Sequence, residues 1–295
     1  MRLGQGRARR SAGTQVVVIT GSTQGLGFGY AQAFLQRGHH VVISGHTQST
    51  VDDAIDRLEA DAVVGAGVAI GQACDVTDPA QVQSLWDFTV RSFGPVGIWL
   101  HDADHVGSGA AVAFATPAEI ERMVQASVDR ALDSSKLLVS GLSSQPQGGK
   151  LYLTLGCGGA IGRIVPALTV GSATQVGLKR FADSLIAGRR KAGDSRVLIG
   201  TLSPGVSVTE GLLREIRALP PEARGKALRR LGFVGDHVAT TTSWIVERIL
   251  AEDRQGHDIA WLTPARLLRR GLGRLFGEER DLLSRYKLDE RGGSS

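Results

Sequence analysis

Gly21, Gly25 and Gly27 stand in the run Thr20-Gly21-Ser22-Thr23-Gln24-Gly25-Leu26-Gly27, a spacing that can hold a phosphate. The apolar run Val16-Val17-Val18-Ile19 precedes it, and a stretch with helical periodicity, Phe28 to Leu35, follows. In a strand–turn–helix unit of this kind Gly21 permits the sharp turn. Gly25 lets the backbone approach a pyrophosphate, and Gly27 lets helix and strand pack closely. A bound dinucleotide is the expectation, against a glycine-rich turn that holds nothing. Other reactive groups are few. His101, Asp102, Asp104 and His105 crowd the end of one strand, too tightly on one loop to favour a four-ligand metal cage. No metal is therefore expected. The three tyrosines, Tyr30, Tyr152 and Tyr286, fall in a helix, a strand and the tail. Cys74 and Cys157 lie in or beside predicted core strands, which suits a reducing cytoplasm better than a disulfide framework.

The elements that must position these residues alternate. Strands are expected at Val16–Thr20, Val41–Ser44, a stretch ending near Cys74, Val96–Leu100, Leu151–Leu155, Val197–Leu202 and Ile259–Leu262. Between them helices are expected at Leu26–Gln36, Val51–Ala60, Val82–Phe93 (opened by Pro79), Pro117–Leu142 and Leu168–Ala187. This alternation predicts an α/β fold of Rossmann type, a doubly wound parallel sheet in a single domain over residues 15–263. After the sixth strand, residues 210–235 carry two short amphipathic stretches around Pro220-Pro221. Ligands of such sheets bind beyond the carboxyl ends of the strands, so this insertion is expected to be a helical lid. Residues 264–295 form a helical extension, Leu267, Leu268, Leu272, Leu275 and Phe276 standing among arginines. A solvated face with arginine outside is the favoured expectation there, and attachment to a membrane surface the lesser one.

Composition agrees. The 295 residues are 42% hydrophobic and 21% charged, ordinary for one large globular domain. No run approaches the roughly 18 apolar residues that span a bilayer. Residues 1–14 are basic without an apolar core, hence expected as a disordered tail rather than a signal peptide. A net charge of +5 is modest, and neither nucleic acid nor membrane is expected as a partner. An oligomer is compatible with everything above.

These residues together resemble the short-chain dehydrogenase/reductase family, from about Gln15 to Leu262. The family's TGxxxGxG is complete at Thr20 to Gly27. Its acidic residue after the third strand, which contacts the adenine, matches Asp75, with Val76 beside it. Its Pro-Gly after the sixth strand matches Pro204-Gly205, followed by Val206, and its cofactor-contacting threonine matches Thr209. Phrases such as SPGVSVTEGLL are most similar to the chlorophyll b reductase branch. Ser44-Gly45-His46 ends the second strand without a carboxylate to accept from a ribose 2′-hydroxyl. The resemblance therefore implies NADPH, with NADH also able to serve.

The family's catalytic pattern is missing. Its tyrosine, acidified by a lysine four residues on, gives a proton to the carbonyl oxygen. The corresponding positions are Val170 and Thr174. The family's serine reads Cys157, its helix asparagine Ser127, and its Asn-Asn-Ala-Gly reads His101-Asp102-Ala103-Asp104. Cys157 and His101 are weak substitutes as proton donors. Such a pattern is similar to that of tyrosine-lacking ketoreductases in antibiotic tailoring. It implies reduction of an aromatic polyketide carbonyl whose own phenol supplies the proton. The alternatives are a catalytically silent sensor or scaffold that binds NADP, and a non-redox lyase or cyclase on the same fold.

Overall fold

The structure, a computed structural model, describes residues 13–102, 116, 118, 130–156, 169–193, 195–276 and 280–286; at 130–132 and 169–174 only the backbone is described. Strand β1 (Val16–Ile19) is four apolar residues with none of their surface exposed. Such a run fits only the middle of a sheet covered on both faces. The further strands are β2 (His40–Gly45), β3 (Ala69–Ala73), β4 (Ile98–His101), β5 (Gly149–Thr154), β6 (Val197–Ser203), β7 (Val206–Val208), β8 (Gly235–His237) and β9 (Asp258–Ala260). Seven of them form one parallel sheet in the order β3-β2-β1-β4-β5-β6-β9. The order reverses between β1 and β4, which puts a crevice outside their carboxyl ends. The doubly wound parallel sheet expected from the sequence is present.

Helices α1 (Gly25–Leu35), α2 (Gln48–Ala60) and α8 (Val238–Ala251) cover one face. Val17, Ile19, Val41, Ile43 and Leu100 point to that side, against Phe34, Val51, Ile245 and Ile249. Helices α3 (Pro79–Phe93), α4 (Arg130–Ser144) and α5 (Thr169–Ala192) cover the other, where Val18, Val42, Trp99 and Leu151 meet Leu85, Leu138 and Leu178. Alternation of side chains along each strand, with a period of two, produces this division. Contact between α1 and α8 is close: a β-carbon on Gly29 would lie 2.5 Å from Val238 Cγ1.

Beyond β6 the chain forms the expected helical insertion. Helices α6 (Glu210–Ala218) and α7 (Pro221–Val234) meet at Pro220-Pro221 and close a small core of Leu213, Ile216, Leu228, Leu231 and Leu282. The two ends of the insertion are joined, because β7 pairs in parallel with β8. Of the expected basic tail, 1–14, residues 1–12 lie outside the described residues, as does most of the upstream part of the helix expected at Pro117–Leu142.

The C-terminal extension departs from expectation. Helix α9 (Pro264–Leu275) turns two of its four arginines, Arg266 and Arg270, inward, while Arg269 and Arg274 stay exposed as expected. Arg270 pairs with the buried Asp236 at 2.5 Å, and Arg266 stacks over Trp261 with its guanidinium 3.5 Å from the ring centre. Arg280 reaches the other oxygen of Asp236 at 2.6 Å, and Trp261 Nε1 donates to that carboxylate at 2.7 Å. A buried carboxylate demands partners, and this demand overrides the tendency of arginine to face water. No helix among the described residues is long and apolar enough to cross a membrane.

Candidate active site

The turn from β1 into α1 is shaped by its glycines. Gly21 and Gly25 have φ of +62° and +60°, a region that side chains strain to enter. A β-carbon on Gly27 would sit 2.5 Å from the Gly21 carbonyl oxygen. The helix begins at Gly25 without any side-chain cap from Gln24, which is exposed. Uncapped amides at a helix N-terminus are what a pyrophosphate requires. The loop therefore fits the diphosphate of a dinucleotide.

Neighbouring elements complete the cradle. Thr209 caps α6 by accepting the Leu212 amide at 3.2 Å, and its Cγ2 comes within 3.6 Å of a β-carbon built on Gly25. Among the described residues its hydroxyl donates to no acceptor. Asp75, just past β3, accepts the Thr77 amide at 2.9 Å, and the Cys74 amide donates to Gly45 O at 2.8 Å. The ends of β2 and β3 are thereby joined to each other. Gly205, at φ +73°, rests so close to Leu262 that a β-carbon would be 2.8 Å from that residue's Cβ. Pro204 is buried beside it, and Val206 opens β7.

Two predicted contacts need correction. The Ser22 hydroxyl donates to Ile19 O at 2.6 Å and accepts the Ser44 amide at 3.0 Å, with no exposed surface. Ser22 therefore fastens the turn to β2, its amide also donating to Ser44 O at 2.9 Å, so neither its side chain nor its amide is turned to a ligand. Ser44 is likewise wholly buried, so its hydroxyl cannot meet a ribose phosphate. His46, exposed at the end of β2, is the residue of that trio within reach of solvent. Gly45 packs on Thr23, whose Cγ2 would be 2.5 Å from a β-carbon there. No carboxylate fits at that place. Sequence reasoning missed Arg57, whose guanidinium lies 4.2 Å above the Phe28 ring and donates to Thr23 O at 3.4 Å. It adds a cation to the outer wall of the turn, and its place late in α2 gave no local signal.

The reacting end is partly described. The Thr20 hydroxyl accepts the Asp102 amide at 3.2 Å, holding β4's end against β1's. His101 and Asp102 are buried. Gln175 Oε1 accepts the Gly156 amide at 2.8 Å, fixing the end of β5 immediately before Cys157. Val170 and Thr174 lie in the first turns of α5. Cys157, Ser127 and Ala103, like Asp104 and His105, lie outside the described residues.

The tyrosines carry the chemical conclusion. Burial, with Asp102 nearby, pushes the Tyr30 phenol well above its ordinary range. Burial alone pushes up Tyr152, and burial foremost raises Tyr286, which is bonded to His237 Nδ1 at 3.0 Å. Proton transfer from tyrosine in this kind of site needs the opposite shift. Lys179 pairs with Asp183 one turn along its own helix. Cys74 is buried and pushed to about 12. None of these groups is poised as an acid.

A parallel sheet with a glycine turn and an open helix N-terminus at its switch point defines a dinucleotide-binding fold. Residues 15–217 match the short chain dehydrogenase family, and the chain belongs to it. That family implies an NAD(P) cofactor. Among curated relatives, the probable chlorophyll(ide) b reductase NYC1 of Oryza sativa, named as chloroplastic, is 30% identical over 274 residues, covering 87% of this chain and 51% of that protein. Its Arabidopsis thaliana counterpart is 27% identical over 270 residues. The chain thus spans about half the length of these relatives. Among solved structures, a single-residue variant of actinorhodin polyketide ketoreductase with NADPH superposes with a TM-score of 0.70 at 19% identity, covering 85% of this chain and 98% of that one. The likeness confirms the fold.

Proposed function

We propose that this chain is an NAD(P)H-dependent ketoreductase whose proton comes from its substrate. The reading is supported by the glycine turn and the uncapped start of α1, together with Val170 and Thr174 at the positions that the resemblance gives to the family's acid pair. When bound, the reduced nicotinamide supplies hydride. The backbone from Gly21 to Gly27 and the start of α1 would hold the pyrophosphate, with Thr209 placed to support it from the side of the α6–α7 insertion. His46, with no carboxylate at Gly45, favours the 2′-phosphate of NADPH. Loss of a positioned general acid costs about 10²–10⁴-fold in rate. A phenol one ring position from the carbonyl offsets that loss, because its internal hydrogen bond already delivers a proton to the carbonyl oxygen. The product phenolate takes its proton back from water.

This chemistry suits a flat aromatic polyketide of the angucyclinone kind, reduced in the manner of a tailoring enzyme similar to the simocyclinone C-7 ketoreductase. A reducing, cytoplasmic setting is proposed with it. A silent sensor would have little use for the apolar-cored lid of α6 and α7, and a lyase would not consume NADPH.

The test is NADPH oxidation with paired aromatic ketones, one bearing a free peri-phenol and one methylated. Turnover of the phenol alone supports the proposal, and equal turnover of both defeats it. Val170→Tyr with Thr174→Lys should leave turnover of the phenolic substrate unimproved.

A further inference from the structure

Helix α9 is attached inside out. Its inner side carries Leu267, packed on the main core, with Arg266 on Trp261 and Arg270 on Asp236. Arg270 also donates to the Phe233 and Val234 carbonyls at 3.3 and 3.0 Å. Leu268, Leu272, Leu275 and Phe276 form the outer row and stay 66%, 47%, 81% and 85% exposed. A surface helix ordinarily turns such a row to the core. Here the ion pairs with Asp236 fix it outward.

Beside the row, between α7 and α9, lies a cavity of about 830 Å³. Leu272 and Phe276 form part of its wall. The rest includes Arg229, Arg266, Arg269, Arg270, Arg274 and Arg280. Asp236 is the one carboxylate among its described lining residues, and Arg270 and Arg280 already share it. Burial foremost, then Arg270, pushes the Arg266 guanidinium below its ordinary range.

Charge decides what covers this face. Helix α9 contains four arginines and no acid. Two copies meeting through the same patch would set those cations against each other. The flanking stretches of this sequence are also unsuited. Residues 1–12 carry four arginines and no acid, and residues 287–295 hold a single large apolar residue, Leu288. A planar anionic surface with an apolar interior complements both the row and the cavity.

We propose that this face docks on an anionic phospholipid bilayer, the Leu268–Phe276 row entering the acyl boundary and the arginine-walled cavity receiving lipid phosphates. This reverses the expectation that no membrane is a partner, and it is independent of the proposed reaction.

The experiment is co-sedimentation of the full chain with vesicles of phosphatidylcholine alone or mixed with phosphatidylglycerol, at low and high salt. The protein should bind the mixed vesicles, release with salt and ignore phosphatidylcholine. Leu268→Ser with Leu275→Ser should weaken vesicle binding at least about tenfold. Both side chains already face solvent, so the melting temperature should hold, and the charge is unchanged. Three results would overturn the proposal: no binding to phosphatidylglycerol vesicles, binding indifferent to the double substitution, or a solution dimer that the double substitution splits.

Discussion

Gln175 on α5 and Gly156 at the end of β5 are joined by a 2.8 Å hydrogen bond, from the glycine amide to the glutamine Oε1. Gln175 is 8% exposed. Gln175→Leu would therefore strand a buried amide, at a cost of about 1–3 kcal/mol. Denaturant unfolding should show that loss. Gln175→Glu keeps the acceptor and should restore stability.

Gly27 tolerates no side chain, since a β-carbon would approach the Gly21 carbonyl oxygen to 2.5 Å. Gly27→Ala should push α1 off the turn and abolish dinucleotide binding in calorimetry. A stability loss of about 1–3 kcal/mol should accompany it.

A carboxylate introduced at Gly45 should fail to create an NADH enzyme. Its β-carbon would meet Thr23 Cγ2 at 2.5 Å. Gly45→Asp should weaken both cofactors in fluorescence titration. Adding Thr23→Ser removes the obstructing methyl and should recover NADH binding before NADPH binding.

Asp236→Ala removes one carboxylate from Arg270, Arg280 and Trp261 together. Breaking a buried pair by deleting one partner costs about 3–5 kcal/mol. The loss should appear first as protease cleavage near α9, ahead of global unfolding.

His39 sets an acid limit. Burial, then Arg37, then His40 hold its imidazole below the ordinary 6.5, and Nδ1 accepts the Gln15 amide at 3.1 Å. The unfolded chain therefore binds the proton more readily than the folded one. Stability should be full above pH 6.5 and decline as pH falls from there toward the folded value. Melting curves of His39→Asn should show a flatter acid limb.

Much of this architecture was legible in the sequence because buried parallel strands are apolar runs and glycine turns are explicit. The β1 run and Gly21–Gly27 needed no tertiary information. Helix α8 was not legible: Val238-Ala239-Thr240-Thr241-Thr242 is rich in β-branched residues that disfavour helix. Packing of Val238 and Thr242 on Gly29 overrides that preference. Strands β7 and β8, three residues each, are too short to show any period. The hidden hydroxyls of Ser22 and Ser44 depend on how strand ends meet, which residue types do not state. The inward arginines of α9 answer to Asp236, which lies 34 residues from Arg270 in the chain.

The pairing of β7 with β8 bears on how a ligand is admitted. Because the entry and exit of the α6–α7 insertion are hydrogen-bonded to each other, its loop-closure entropy is lost on folding, before any ligand arrives. What remains is a preassembled pair of helices whose small core is completed by Leu282, with Gly205 packed against Leu262 at its base. A ligand meeting this surface then need not order a loose chain.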